Sequence, residues 1–208
     1  MANNKALFLK WMKILFYIHC VSLVAYLIGL LPLIGSLFGW VAPVVTVISI
    51  FCLYSLAPVN ERYKKAAIFS AVAFVLSVIM KFSGIGLILG LISIVGVVCN
   101  LVAMYQEYCG HSDVLVTIDN KLSKNWHTLF NWEVFGSIVV AIIGAPVIIV
   151  AAVAFLLDAN VISILTTVLI SCFDIILDVF YLVFLKRTFD ACERYEHWVD
   201  DVVAGNQI

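Results

Sequence analysis

The sequence predicts an all-α, polytopic integral membrane protein: six transmembrane helices arranged as three hairpins, with the N and C termini both cytoplasmic. Composition predicts the membrane. Hydrophobic residues fill 64% of the 208 positions and charged residues only 12%, whereas soluble domains run near half apolar and about a quarter charged. A mean hydropathy of +1.14 agrees. A soluble fold of this size has too little interior to hide that surface, so the bilayer is the solvent for most of it. The basic residues predict the threading. With both termini and the two long polar connections on one side, eleven of the twelve Lys and Arg fall together and only Lys81 lies opposite. That is the positive-inside pattern, and it requires an even number of spans.

Helix 1 is expected from about Lys5 to Leu31. Lys5, Lys10 and Lys13 ahead of an apolar run resemble a signal peptide, but no small-x-small cleavage site follows, so the run reads as a retained first helix. Pro32, Gly35 and Gly39 make a turn. Helix 2 is expected from about Trp40 to Tyr63, with Pro58 kinking its end. Helix 3 runs from near Ala66 to Met80 or Phe82, short for a span. Ser83-Gly84-Ile85-Gly86 breaks the chain before helix 4, which continues to about Tyr108. Helix 5 covers about Trp126 to Leu157, with a kink at Pro146. Helix 6 follows the turn Asp158-Ala159-Asn160 and reaches about Trp198. The hairpins are thus about 5–63, 66–108 and 126–198, within a single transmembrane domain. Leu115, Ile118, Leu122, Trp126 and Leu129 recur at helical spacing, so 112–125 reads first as an interfacial helix, with an extended loop the close alternative.

An internal repeat is suggested. Trp11, Ser22 and Gly29 recur as Trp126, Ser137 and Gly144 at one offset, and Glu61-Arg62-Tyr63 recurs as Glu193-Arg194-Tyr195. Glu107-Tyr108 is a third, weaker copy. Lys65, His111 or His197 stands four residues after each of these Glu. Shared interface chemistry at helix ends accounts for such recurrence as well as duplication does.

The six cysteines form no close C-x-x-C pair, which removes zinc-ribbon and thioredoxin-like readings. Four lie in apolar runs as small hydrophobes. Cys109 and Cys192 fall at helix ends, where lipidation is chemically open. A net charge of −1 leaves no electrostatic footprint for nucleic acid.

The functional signal lies in Asn160–Thr188. Thr167, Ser171, Asp174, Asp178 and Tyr181 are spaced four, three, four and three, which aligns them on one helix face. Carboxylates within an apolar span are costly and mark functional sites by default. Counting at about 1.5 Å per residue, Asp178 lies roughly 12 Å in and Asp174 roughly 18 Å. His19 and Asn100 come out at about 9 Å, and Glu133 anywhere from the headgroups to about 13 Å, so all three could share the level of Asp178. Helix 1 adds Ser22, Tyr26 and Gly29 to one face. Helix 4 adds Gly86, Gly90 and Ser93, and helix 5 adds Ser137, Ala141 and Gly144. These small-residue stripes suit close packing of helices 1, 4, 5 and 6 around a polar interior. The candidate ion- or substrate-binding residues are therefore Asp174, Asp178, His19, Asn100, Glu133 and Ser171. A protonated Asp that merely fixes helix packing is the structural alternative.

No buried Lys or Arg balances the acids, which is the chemistry of a proton relay or cation site. Imidazole and carboxylates suit first-row metals, but no i, i+4 His pair or Glu-x-x-His supports a metal centre. Serine-elbow, His-Glu-x-x-His, phosphate-loop and DG-x-x-A-R patterns are all missing from the sequence, and no catalytic residue or cofactor is expected. Six helices in about two hundred residues is similar, in size and span count alone, to the substrate-binding subunits of energy-coupling-factor transporters, and such an analogy carries no function. The expectation is a transporter or binding subunit in which the Asp pair handles a proton, cation or cationic group. A non-catalytic scaffold or accessory subunit docking a partner through its cytoplasmic helix ends is the alternative, and an intramembrane enzyme is least supported. The expected partners are the lipid bilayer and either a protein at the cytoplasmic face or a second copy. The expected location is a bacterial cytoplasmic membrane.

Overall fold

The computed structural model describes residues 3–30, 40–82, 86–154 and 159–195. Among them the chain is all-helical: α1 Asn3–Gly29, α2 Val41–Ser55, α3 Glu61–Phe82, α4 Gly86–Leu115, α5 Asn120–Ala154 and α6 Ala159–Arg194. The stretches Lys5–Gly29, Glu61–Lys81 and Ile92–Leu115 are long and apolar enough to cross a membrane, and α2 is a shorter apolar helix. The expected turn at Pro32, Gly35 and Gly39, the residues Ser83 to Ile85, Asp158 and Trp198 lie outside the described residues.

Local chemistry sets the helix ends, and it moves several of them from their expected places. α2 stops at Ser55 because residues 56–59 form a tight turn that holds Pro58, so this proline ends the helix instead of kinking it. Asn60 then opens α3 five residues earlier than expected. Its Oδ1 accepts from the Arg62 backbone N–H at 2.9 Å, satisfying a donor that the first helical turn would leave unpaired. Asp119 does the same for α5, accepting from Leu122 N–H at 2.9 Å. The segment 112–125 is consequently the end of α4, a turn at 116–118 and the start of α5.

Each helix packs on its neighbours in the chain, and α6 returns to α1, closing a ring that α4 and α6 touch across. Side-chain contacts bring alternate helix ends together. Lys5 Nζ donates to the Glu193 carbonyl at 3.1 Å and the Tyr195 carbonyl at 2.6 Å. Trp11 meets Phe51 edge-on at 5.3 Å. Arg62 Nε reaches Asp113 Oδ2 at 2.6 Å, and Trp126 Nε1 donates to Thr188 Oγ1 at 3.0 Å. The starts of α1, α3 and α5 therefore lie with the ends of α2, α4 and α6. Lys81, at the last turn of α3, is the basic residue placed at the other end.

The packed core also sits at this basic end. Phe8, Met12, Leu15, Leu56, Tyr63, Leu115, Trp126 and Leu185 are fully buried there. Elsewhere the outside is apolar: Val21, Val47, Val75, Val97, Ile138 and Ile176, one from each helix, are all at least half exposed. A soluble surface rarely carries apolar area on every side, whereas lipid accepts it without cost.

The pairs behind the suggested repeat have unlike surroundings. Trp126 is fully buried while Trp11 is partly exposed, and Tyr63 is fully buried while Tyr195 is not. What two copies share is an i, i+4 contact, the ion pair Glu61–Lys65 at 3.5 Å in the open and the approach of His111 to Glu107 at 3.6 Å in the interior. Cys109 and Cys192 stand near helix ends, yet both are buried, and burial pushes the Cys192 thiol well up. Neither offers an accessible sulfur for a lipid or a labelling reagent.

Candidate functional site

Where α1, α4, α5 and α6 converge, the ring encloses a partly open cavity of about 600 Å³. The face of α6 supplies Asp174 and Asp178, with Phe173, Leu177 and Tyr181 between and beside them. α1 contributes His19 and Tyr26, two turns apart. α4 contributes Met104, Glu107 and Tyr108, and α5 contributes Glu133. Four carboxylates thus share one space, and no Lys or Arg lines it among the described residues.

Aromatic rings close the cavity toward the basic end. The rings of Tyr181 and His19 are 4.7 Å apart, and Tyr181 also meets Tyr108 at 5.7 Å and Trp126 at 5.5 Å. Beneath them His111 lies 4.5 Å from Trp126. Its Nδ1 is 2.9 Å from Tyr63 Oη. Gly110 makes room for that tyrosine: a Cβ there would stand 3.0 Å from its ring. On α5, a Cβ at Gly136 would overlap Phe173, so the glycine lets this cavity wall seat directly on the neighbouring helix.

The four acids differ in how well they are satisfied. Glu107 accepts from Tyr181 Oη through Oε1, and His111 Nε2 stands 3.6 Å from the same oxygen. Glu133 accepts from Tyr108 Oη through Oε1 at 2.5 Å. Its Oε2 is buried with no hydrogen-bond partner among the described residues. Asp174 and Asp178 are exposed to the cavity and have no hydrogen-bonding or ion-pair partner among the described residues. A carboxylate removed from water without donors carries a desolvation cost. A group that enters with positive charge and N–H or C–H donors of its own relieves that cost.

Of the six residues singled out from sequence, His19, Glu133, Asp174 and Asp178 line the cavity. Asn100 does not. It is exposed, one turn along α4 from Met104, whose sulfur its Nδ2 approaches at 3.8 Å. Ser171 is buried on α6 without reaching the lining. The side chains of Thr167, Ser137, Ala141, Gly86 and Gly90 lie outside those described. Sequence reasoning missed Glu107 and Tyr108 as site residues because it ends α4 near Tyr108, which assigns both to the solvated rim. The signal is the continued helical spacing of Ala103, Glu107, His111 and Val114, all wholly or partly buried, which carries α4 seven residues further. No protein-family model, curated protein or solved structure matches this chain.

Proposed function

We propose that the chain crosses the membrane six times, with both termini in the cytoplasm. We further propose that it acts as a small transporter or membrane-embedded binding subunit whose acidic cavity handles a proton, a cation or a cationic group. The observation that carries this reading is the surplus of acceptors: among the described residues, four carboxylates around one cavity, no Lys or Arg in its lining, and a buried Glu133 oxygen without a donor. A set of acids kept only to fix helix packing spends its oxygens on neighbouring donors. Here the two aspartates have none among the described residues.

Orientation follows from the basic end, which the positive-inside pattern assigns to the cytoplasm. Single cysteines at exposed Lys64 or Lys121, in a chain lacking its natural cysteines, are expected to react with an impermeant thiol reagent only when the cytoplasmic face is open. Lys81→Cys is expected to react from outside. Labelling of all three from one side would remove the six-span threading.

Function is tested by reconstituting the protein in sealed vesicles and following proton and cation movement. Wild type is expected to move or bind a cation, and the Asp174→Asn/Asp178→Asn double variant is expected to fold and to lose that activity. Full activity in the double variant, or no cation movement or binding by folded wild type, would transfer the protein to the scaffold reading, with its cytoplasmic helix ends as the docking surface.

A further inference from the structure

Resting on that reading, we propose that the cavity is built for an organic cation: a nitrogen-centred positive charge carried on an apolar or aromatic body. Size is the first reason. A water molecule's share of liquid volume is about 30 Å³, and a relay for protons or a site for a bare ion needs space for only a few such molecules. The cavity of about 600 Å³ falls instead within the range of roughly 300–1,000 Å³ typical of small-molecule sites.

Charge distribution is the second reason. No three His, Cys, Asp or Glu side chains among the described residues converge closely enough to hold one metal ion. The acids stand on three different helices around the space, which suits a charge spread over an alkylammonium or a heteroaromatic ring better than a point charge. Among the described residues the lining also lacks Lys and Arg, so the carboxylate of a zwitterion or an anion would meet like charge and, of the described ionisable groups there, just the imidazole of His19.

Wall chemistry is the third reason. Between the acids stand the rings of Tyr26, Tyr108, Phe173 and Tyr181. Aromatic faces attract organic cations through the ring quadrupole, more strongly once water is excluded. Leu177 and Met104 complete an apolar surface for the rest of the molecule. Tyr181 and Tyr108 hold Glu107 and Glu133 by their hydroxyls, so the rings are fixed beside the charges they would cooperate with.

The test uses purified, detergent-solubilised wild-type protein and calorimetric titration, with thermal unfolding as a second readout. The probes are benzyltrimethylammonium, choline, 3,3-dimethylbutan-1-ol as the neutral carbon isostere of choline, and sodium, potassium and magnesium at matched ionic strength. Both organic cations are expected to bind and to raise the unfolding temperature. The neutral isostere is expected to bind at least about tenfold more weakly, because it keeps the shape and loses the charge. Asp174→Asn and Glu133→Gln are each expected to weaken benzyltrimethylammonium by about tenfold, and Tyr26→Ala by several-fold. Asp174 has no hydrogen-bond partner to lose among the described residues, so its variant keeps the comparison valid even where Glu133→Gln disturbs folding. Equal binding of choline and its isostere would overturn the proposal, leaving a merely apolar pocket. Binding or flux of inorganic ions or protons, with no organic cation bound, would overturn it while the cation reading stands. If folded protein binds no cation of either kind and moves no protons, both fall.

Discussion

Two regions of this bundle are made from the same parts and reach opposite states. At the basic end, Tyr63, His111, Trp126 and Thr188 are fully buried, and each makes a polar contact with another buried side chain. About one to four helical turns away, Tyr108, Tyr181, Glu107, Glu133, Asp174 and Asp178 surround open space, and the carboxylate oxygens outnumber the donors offered to them among the described residues. Helices that pack tightly at one end part around the other. The contrast teaches where each polar group's cost is met. At the packed end most of it is met within the fold, with His111 Nε2 left 3.6 Å from Glu107 as the exception among the residues named there, so those residues specify the structure. In the cavity part of it is left open, so those residues are available to something that enters.

The largest effect separating the two regions is expected from Trp126→Ala. The indole is fully buried, contacts His111, Tyr108 and Tyr181, and donates to Thr188. Truncating a buried Trp costs about 3–5 kcal/mol, here with the Thr188 hydroxyl orphaned as well. Thermal or denaturant unfolding in detergent should show a destabilisation of that order. A loss under about 1 kcal/mol, small against what cavity formation normally costs, would mean the basic end is not the structural anchor. Tyr63→Phe is the next step down. It keeps the ring and removes the hydroxyl from His111 Nδ1, leaving a fully buried imidazole nitrogen without its partner. The expected cost is about 1–3 kcal/mol, readable in the same unfolding experiment, with cation binding unchanged.

The two regions were not equally legible in the sequence. The cavity face of α6 was readable because its polar residues interrupt an apolar run, and a three-four spacing survives any small error in helix ends. The end of α4, which serves both regions, was harder. Whether Glu107 and His111 are solvated or buried turns on seven residues of helix length, and their polar character argues for the rim unless partners are known. Those partners, Tyr181 and Tyr63, come from helices more than forty residues away in the chain. The start of α3 depends in the same way on a side chain, Asn60, acting on its own backbone. Asn100 shows the converse limit: a position counted along a helix does not supply its direction, and rotation about the helix axis is set by packing.

A smaller effect is expected at the outer edge of the packed end. Arg62 and Asp113 pair at 2.6 Å, with Asn60 Nδ2 adding a contact to the same oxygen at 3.2 Å. Both charged side chains are more than a third exposed, so solvent screens the pair. Asp113→Asn should cost no more than about 1 kcal/mol and less at high salt. A larger, salt-independent loss would extend the structural core to this rim.

The smallest stability effect, and the sharpest division between the regions, is expected from Asp174→Asn. The side chain is exposed to the cavity and makes no hydrogen bond or ion pair among the described residues. Asn matches its shape and removes only charge and the capacity to take up a proton. Unfolding stability should change by no more than about 0.5 kcal/mol, and relief of like-charge repulsion with Asp178, one turn away, makes a slight gain the natural sign. Cation binding or movement should nevertheless fall sharply. Asp178→Asn should impair it further, because Asp178 stands one turn closer to Tyr181, Glu107 and His19, where the rings and the partly satisfied acids meet. Measured together, stability and binding in these two variants decide what the acids are for. If stability drops by more than about 1 kcal/mol in either while binding holds, the aspartates belong with Tyr63 and His111 as parts of the fold. If stability holds and binding is lost, the surplus of acceptors in the cavity is the working feature of the molecule.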